Sequence, residues 1–193
     1  MAPVFKGVTV NSVNVALLRG INVGGKNRLP MKELAAMFED AGCAKVQTYI
    51  QSGNVLFQSE PALAEDIPGL VSSAVFSRFG IQVPIVTRTT NELADIVRSN
   101  PFMAAGADPD KLHVVFLAHR PDEASFRSLD PNRSRGDDFA ASGRHVYLHC
   151  PNGLARTRLT NSYFDSRLST TSTTRNWRTT VKLLEMSQAM AQE

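Results

Sequence analysis

The sequence predicts an α+β chain made of two related halves, each in the order β-α-β-β-α-β, with a C-terminal helix added. Three observations carry this. Short β-branched runs alternate with segments of helical periodicity. Two Ser-Gly hairpins recur, Tyr-Ile-Gln-Ser-Gly-Asn-Val-Leu-Phe (49–57) and Phe-Ala-Ala-Ser-Gly-Arg-His-Val-Tyr (139–147). The leading strands and the hairpins are each offset by about ninety to a hundred residues, the order of one small domain.

The elements follow in chain order. Val13–Arg19 is apolar and β-branched and stops at a Gly-rich loop, the pattern of a buried strand. Pro30 suits the first turn of a helix, and Met31, Leu34, Ala35 and Phe38 then share one face, with Gly42 as the stop. Lys45–Gln51 and Asn54–Gln58 flank the Ser52-Gly53 turn as a hairpin. Leu63–Phe79 reads as a helix ended by Gly80, and Ile81–Val86 as the strand completing the first half. A connecting helix spans Thr90–Arg98.

The second half repeats the order. Lys111–Ala118 is a strand, Asp122–Leu129 a short helix, and Asp138–Ala141 with Arg144–Cys150 a hairpin around Ser142-Gly143. Asn161–Leu168 is helical and Ser169–Thr174 a Ser/Thr-rich loop offering an N-cap. Trp177, Val181 and Leu184 recur on a terminal helix that buries the Trp and turns Arg175, Arg178 and Lys182 outward. The expected arrangement is two ferredoxin-like halves from an internal duplication. The first spans 1–89 and the second 111–193, joined by a helix and linker over 90–110.

Composition excludes several classes. The 193 residues are 42% hydrophobic and 20% charged, unlike collagenous or disordered chains. No apolar run approaches the roughly 20 residues that span a bilayer, so no membrane partner is expected. Met1–Asn11 lacks the apolar stretch of a secretory signal. Cys43 and Cys150 are too few for a disulfide framework and suit a reduced cytoplasm. The net charge of +3 is uneven, since 151–182 holds Arg156, Arg158, Arg167, Arg175, Arg178 and Lys182 against Asp165 alone. Such a field attracts polyanions or phosphorylated ligands.

Two segments are candidates for binding an anion. Gly20-Ile-Asn-Val-Gly24-Gly25-Lys26-Asn27 nearly matches the phosphate loop Gly-x-x-x-x-Gly-Lys-Ser/Thr, in which backbone N–H groups surround phosphate. Asn27 replaces the magnesium-binding hydroxyl, and Arg28-Leu29-Pro30 delays the helix, which argues against a nucleotidase. What remains is an anion site from Arg19, Asn22, Gly24, Gly25, Lys26, Asn27 and Arg28, or a plain turn between strand and helix. The second segment alternates Arg forks with hydrogen-bonding side chains: Arg156, Arg158, Arg175, Asn176 and Arg178. Capping and core packing are its alternative roles.

Other chemistry is weaker. His145 and His149 share a strand face with Tyr147, and His113 joins them if its strand pairs alongside. No Cys pair or flanking carboxylate accompanies them, so no metal and no cofactor is expected. No Gly-x-Ser-x-Gly elbow occurs. RNA readout on the sheet face is disfavoured because Val13–Arg19 has no aromatic residue.

The runs Arg-Gly-Ile-Asn-Val-Gly-Gly-Lys-Asn (19–27), Met-Lys-Glu-Leu (31–34) and Thr-Tyr-Ile-Gln-Ser-Gly-Asn-Val (48–55) resemble the bacterial family called domain of unknown function 1697. So do Gly-Leu-Ala-Arg-Thr-Arg-Leu-Thr-Asn (153–161) and Thr-Thr-Arg-Asn-Trp-Arg-Thr (173–179). The resemblance implies a bacterial protein of two related α/β halves and carries no established activity. Three functions stay open: binding a nucleic-acid backbone or phosphorylated small molecule, an enzyme acting on a small phosphorylated or carboxylated metabolite between the halves, and a homo-oligomeric scaffold, for instance a homodimer.

Overall fold

The computed structural model describes residues 11–192, so the expectation for Met1–Asn11 falls almost wholly outside the described residues. The first sheet is built from β1 (Ser12–Leu18), β2 (Ala44–Tyr49), β3 (Asn54–Ser59) and β4 (Ile85–Thr89), in the order β2-β3-β1-β4. Helices α1 (Met31–Asp40) and α2 (Pro61–Phe79) follow β1 and β3. After α3 (Thr90–Arg98) and the short α4 (Pro101–Ala104), the second sheet is built from β5 (Leu112–Leu117), β6 (Asp138–Ser142), β7 (His145–His149) and β8 (Ser172–Asn176). Its order is β6-β7-β5-β8, the same pattern. Helices α5 (Glu123–Arg127) and α6 (Asn161–Leu168) lie between its strands, and α7 (Trp177–Gln192) ends the chain. All pairings are antiparallel.

Strand alternation builds three apolar cores. Ala16 and Leu18 of β1 pack with Phe57 on α1 and α2, through Leu34, Phe38, Ile67 and Val71. Val115 and Leu117 of β5 do the same on α6, through Phe164 and Leu168. The opposite faces share one central core: Val13, Val15 and Leu17 of β1 and Leu112, Val114 and Phe116 of β5 cluster with α3 and α7. Trp177 is buried in that layer, as its spacing predicts.

Three expectations are corrected. The strand predicted at Ile81–Val86 begins only at Ile85, because Pro84 has no N–H to donate to a ladder. Ser169–Thr174, predicted as a loop, is largely strand: β8 pairs with β5 from Leu117↔Ser172 to His113↔Asn176. Hydropathy hides this strand because its buried residues are Ser172, Thr173 and Arg175. Arg175 therefore does not face outward.

Two buried arginines tie the halves together reciprocally. Arg175, on β8, reaches into the first half and donates through Nη2 to the carbonyls of Leu18 (2.7 Å) and Gly53 (3.2 Å). Arg88, on β4, reaches into the second half and donates through Nη2 to the carbonyls of Leu117 (2.8 Å) and Arg144. The four acceptors correspond: Leu18 N–H bonds Gly53 O at 2.8 Å, and Leu117 N–H bonds Arg144 O at 2.9 Å. Each Nη1 also holds the carbonyl of the residue before its own, Thr174 at 2.9 Å and Thr87 at 2.7 Å. Burial lowers both guanidinium pKa values, to about 10 for Arg175 and about 9 for Arg88, and both stay cationic at neutral pH.

The turn receiving Arg175 is tight. A Cβ on Gly53, at φ +77°, would lie 2.7 Å from Leu18 Cβ. Arg175→Ala removes a charged donor from Leu18 O, the second donor from Gly53 O and the partner of Asn54 Oδ1, and is expected to cost about 3 kcal/mol in urea denaturation. Arg175→Lys is expected to recover only part of that, since an ammonium lacks the planar fork. A loss below about 1 kcal/mol for Arg175→Ala would contradict this role.

Candidate functional site

An open groove of about 1700 Å³ lies between the halves. One wall is α2, presenting Ala64, Ser72 and Phe76. The floor is the segment Gln82–Thr89 with Ser12 and Asn14 of β1. The far wall comes from the second half, with Ala118, His119, Arg120, Arg144 and Thr171. Its charged lining is Arg19, Arg88, Arg120 and Arg144 against Glu65 and Glu92.

Local structure fixes these side chains. Thr89 caps α3: its hydroxyl accepts from Glu92 N–H at 3.2 Å, and Glu92 Oε2 accepts from Thr89 N–H at 2.9 Å. That capping box aims Glu92 Oε1 at Arg144 Nη1, 3.1 Å away. Arg144 Nη2 also donates to Ala118 O at 2.9 Å. Arg19 Nη1 bonds Asp165 at 2.6 Å and Ser172 O at 2.9 Å, yet its side chain keeps 29% exposure. Arg120 is 70% exposed, with Glu123 only at 3.9 Å.

The residues expected to bind an anion divide into several groups. Asn22 clamps its own loop: its amide donates to Leu29 O (2.9 Å) and Gln51 O (3.0 Å), and its Oδ1 accepts from Leu29 N–H (2.8 Å). Asn27 donates to Gly20 O at 2.9 Å, and both residues line the groove. The N–H groups of Asn22 and Lys26 bond Asn27 O and Val23 O, so the loop closes on itself instead of opening an N–H cradle. Gly24 and Gly25, at φ +57° and +76°, make that turn. Lys26 and Arg28 are exposed on it.

In the second segment, Arg175 is fully engaged, Asn176 Oδ1 caps α7 by accepting from Thr179 N–H at 2.7 Å, and Arg178 forks onto Asp110. Arg156 and Arg158 are exposed, and the Arg158 N–H bonds Ser134 Oγ at 3.0 Å. The two segments do meet, through Arg19 on Asp165 and Arg175 on Leu18, but in contacts internal to the fold. Arg88, Arg120 and Arg144, which line the groove, lie outside both segments. A signal for Arg88 was present: Thr87-Arg88-Thr89 heads a helix as Thr174-Arg175-Asn176 does.

The histidines do not converge. His145, Tyr147 and His149 stand opposite Phe116, Val114 and Leu112, whereas His113 opposes Leu148 and so points to the other face. Among the described residues no three His, Cys, Asp or Glu side chains cluster in a way that would hold a metal ion. Burial pushes the Cys43 and Cys150 thiols up to about 11, leaving them protonated at neutral pH. Among the described residues no helix is long and apolar enough to cross a membrane.

His145 gives a pH signature. Burial, and then the charge of Arg88, lower its pKa from 6.5 to about 4. Between those values the unfolded chain binds the proton more tightly than the folded one, so stability present above pH 6.5 is lost as pH falls toward about 4. Denaturant midpoints measured across that window are expected to fall for the native chain and to fall less for His145→Gln. Parallel curves would contradict the assignment.

A family model described as "Protein of unknown function (DUF1697)" matches residues 12–147, well over half of the chain. No curated protein matches the sequence. Among solved structures, the conserved bacterial protein SP0830 from Streptococcus pneumoniae is similar, with a TM-score of 0.69 at 20% identity. The match covers 92% of this chain and 99% of that one, and at this identity it speaks for the fold alone. With the family match spanning β1 to β7, the chain belongs to the DUF1697 family.

Proposed function

We propose that this protein binds a polyanionic chain, a single-stranded nucleic-acid backbone, in the groove between its halves. The observation carrying this is the lining: with Arg19 paired to Asp165 and Arg144 to Glu92, Arg88 and the exposed Arg120 stand against Glu65. A field of that sign focuses anions in a cleft. Size favours a chain over a metabolite, since about 1700 Å³ exceeds the roughly 300–1,000 Å³ of small-molecule pockets. Phe76, 53% exposed on the α2 wall, supplies a stacking surface, and Lys26 and Arg28 extend the charge from the adjoining loop.

We further propose that the halves are ferredoxin-like copies of one ancestral unit. The equal strand orders and the reciprocal arginines support this reading. On that reading α3 and α7 are equivalent, and the repeats run over 12–98 and 112–192.

The test is fluorescence anisotropy of a labelled single-stranded oligonucleotide across a salt series. Affinity is expected to fall steeply with salt, and Arg120→Ala to weaken binding several-fold while lowering the salt slope by about one. Arg156→Ala and Arg158→Ala, outside the groove, are expected to change little. Binding without salt dependence, or lost only in the last two variants, would overturn the proposal.

A further inference from the structure

The sheet edges are β2 and β4 in the first half and β6 and β8 in the second. An edge strand offers unpaired N–H and C=O groups to any other strand, and folded chains block them with bulges, charges or caps. β2 is broken by a bulge between Ala44 and Gln47 and carries exposed Lys45 in the left-handed region at φ +47°. On β4 the Thr87 carbonyl takes Arg88 Nη1, and the Thr89 N–H is held by Glu92. On β8 the Thr174 carbonyl takes Arg175 Nη1, and Asn176 passes directly into α7.

β6 has none of these devices. Asp138–Ser142 pairs with β7 without a bulge and contains no Pro and no Lys. The ladder decides which of its backbone groups face outward. Leu117 N–H bonds Arg144 O, so Arg144, Val146 and Leu148 turn their backbone groups to β5, and His145, Tyr147 and His149 turn theirs to β6. Their partners Ser142, Ala140 and Asp138 are thereby satisfied, and Phe139 and Ala141 point N–H and C=O away from the sheet. Among the described residues no side chain or loop bonds these outward groups. Ala141 is exposed, and Phe139 lies half-buried with Phe126 at the margin of the α6-side core.

We infer that β6 pairs antiparallel with β6 of a second copy of this chain, about a two-fold axis at Ala140. Of the antiparallel registers it is the one that meets every outward group: Phe139 stands opposite the partner's Ala141, and each such pair exchanges both hydrogen bonds. The segment is self-complementary in size. Each Phe139 faces a small alanine and lies diagonal to the partner's Phe139, extending the core its ring already joins beside Phe164 (centroids 6.4 Å apart). It is self-complementary in charge too, since Asp138, the charged residue of β6, falls opposite the partner's Ser142 and not opposite another carboxylate. The two four-stranded sheets become one continuous sheet. β6 lies at the far edge from β8, where the halves join, so the inference is independent of the groove reading.

The test is sedimentation equilibrium of the full chain over about a hundredfold range of concentration. A reversible monomer–dimer equilibrium is expected. Ala141→Pro removes an N–H that faces the partner and leaves the β7 ladder intact. It is expected to weaken dimerisation at least about tenfold, since each copy loses a bond. Ser142→Asp sets carboxylates opposite each other and is expected to weaken the dimer several-fold, whereas Ser142→Lys sets an ammonium opposite Asp138 and is expected to tighten it. These two changes sit on an exposed side chain and decide the matter if Ala141→Pro fails to fold. A chain that stays monomeric at every concentration would overturn the inference. So would a dimer whose strength neither Ala141→Pro nor the two Ser142 changes alter.

Discussion

The carbonyls at the end of each half's first strand and in its hairpin turn depend on a guanidinium from the other half. Leu18 O and Gly53 O receive Arg175, and Leu117 O and Arg144 O receive Arg88. Gly53 O and Arg144 O also accept the N–H of Leu18 and Leu117, so the guanidinium adds a second, charged donor to each turn from the other half. Each arginine is carried on a strand whose partner is the first strand of its own half: Arg88 stands opposite Val15 and Arg175 opposite Val114. The exchange therefore fixes both sheets against the shared layer of α3 and α7.

The groove lies on the Arg88 side of that exchange. The two nodes share geometry but differ at two residues, Gly53-Asn54 against Arg144-His145. Asparagine supplies an oxygen acceptor, and glycine admits the close approach of Leu18 and Ile21. Arginine and histidine supply donors and charge, and Glu92 holds that charge in place from the cap of α3. The Arg175 node is fully hydrogen-bonded, whereas at the Arg88 node Arg144 Nε and His145 Nε2 are buried without a partner.

The charge count by segment needs the same sorting. The basic run over 151–182 suggests an external field, yet Arg175 is internal and Arg178 is paired with Asp110. Exposed ion pairs of that kind are weak, but they still cancel the local field. Cations that enter the groove come from dispersed places, at the end of β1, after β5 and in the second hairpin. No sliding window along the chain gathers them.

Much of the architecture was legible in order and spacing. Apolar alternation located β1 and β5, glycines located both hairpins, and helical periodicity located α1 and α7, because each signal is local and set by the backbone repeat. The family runs followed from the same local patterns, but the overlay of the two Ser-Gly turns is one residue out: Ser142 pairs with His145 inside the hairpin, and Leu117 N–H bonds Arg144 O where Leu18 N–H bonds Gly53 O, so Gly53 answers to Arg144 and not to Gly143. β8 was hidden because its buried face is polar, and hydropathy cannot report burial that hydrogen bonds make tolerable. The fates of Arg88 and Arg175 were hidden too, since their acceptors in the other half lie up to 56 and 157 residues away along the chain. The sequence by itself determined most of the elements, their order and the family. Tertiary structure alone decided which arginines are joints and which line the groove, because that depends on carbonyls brought near only when the two sheets pack.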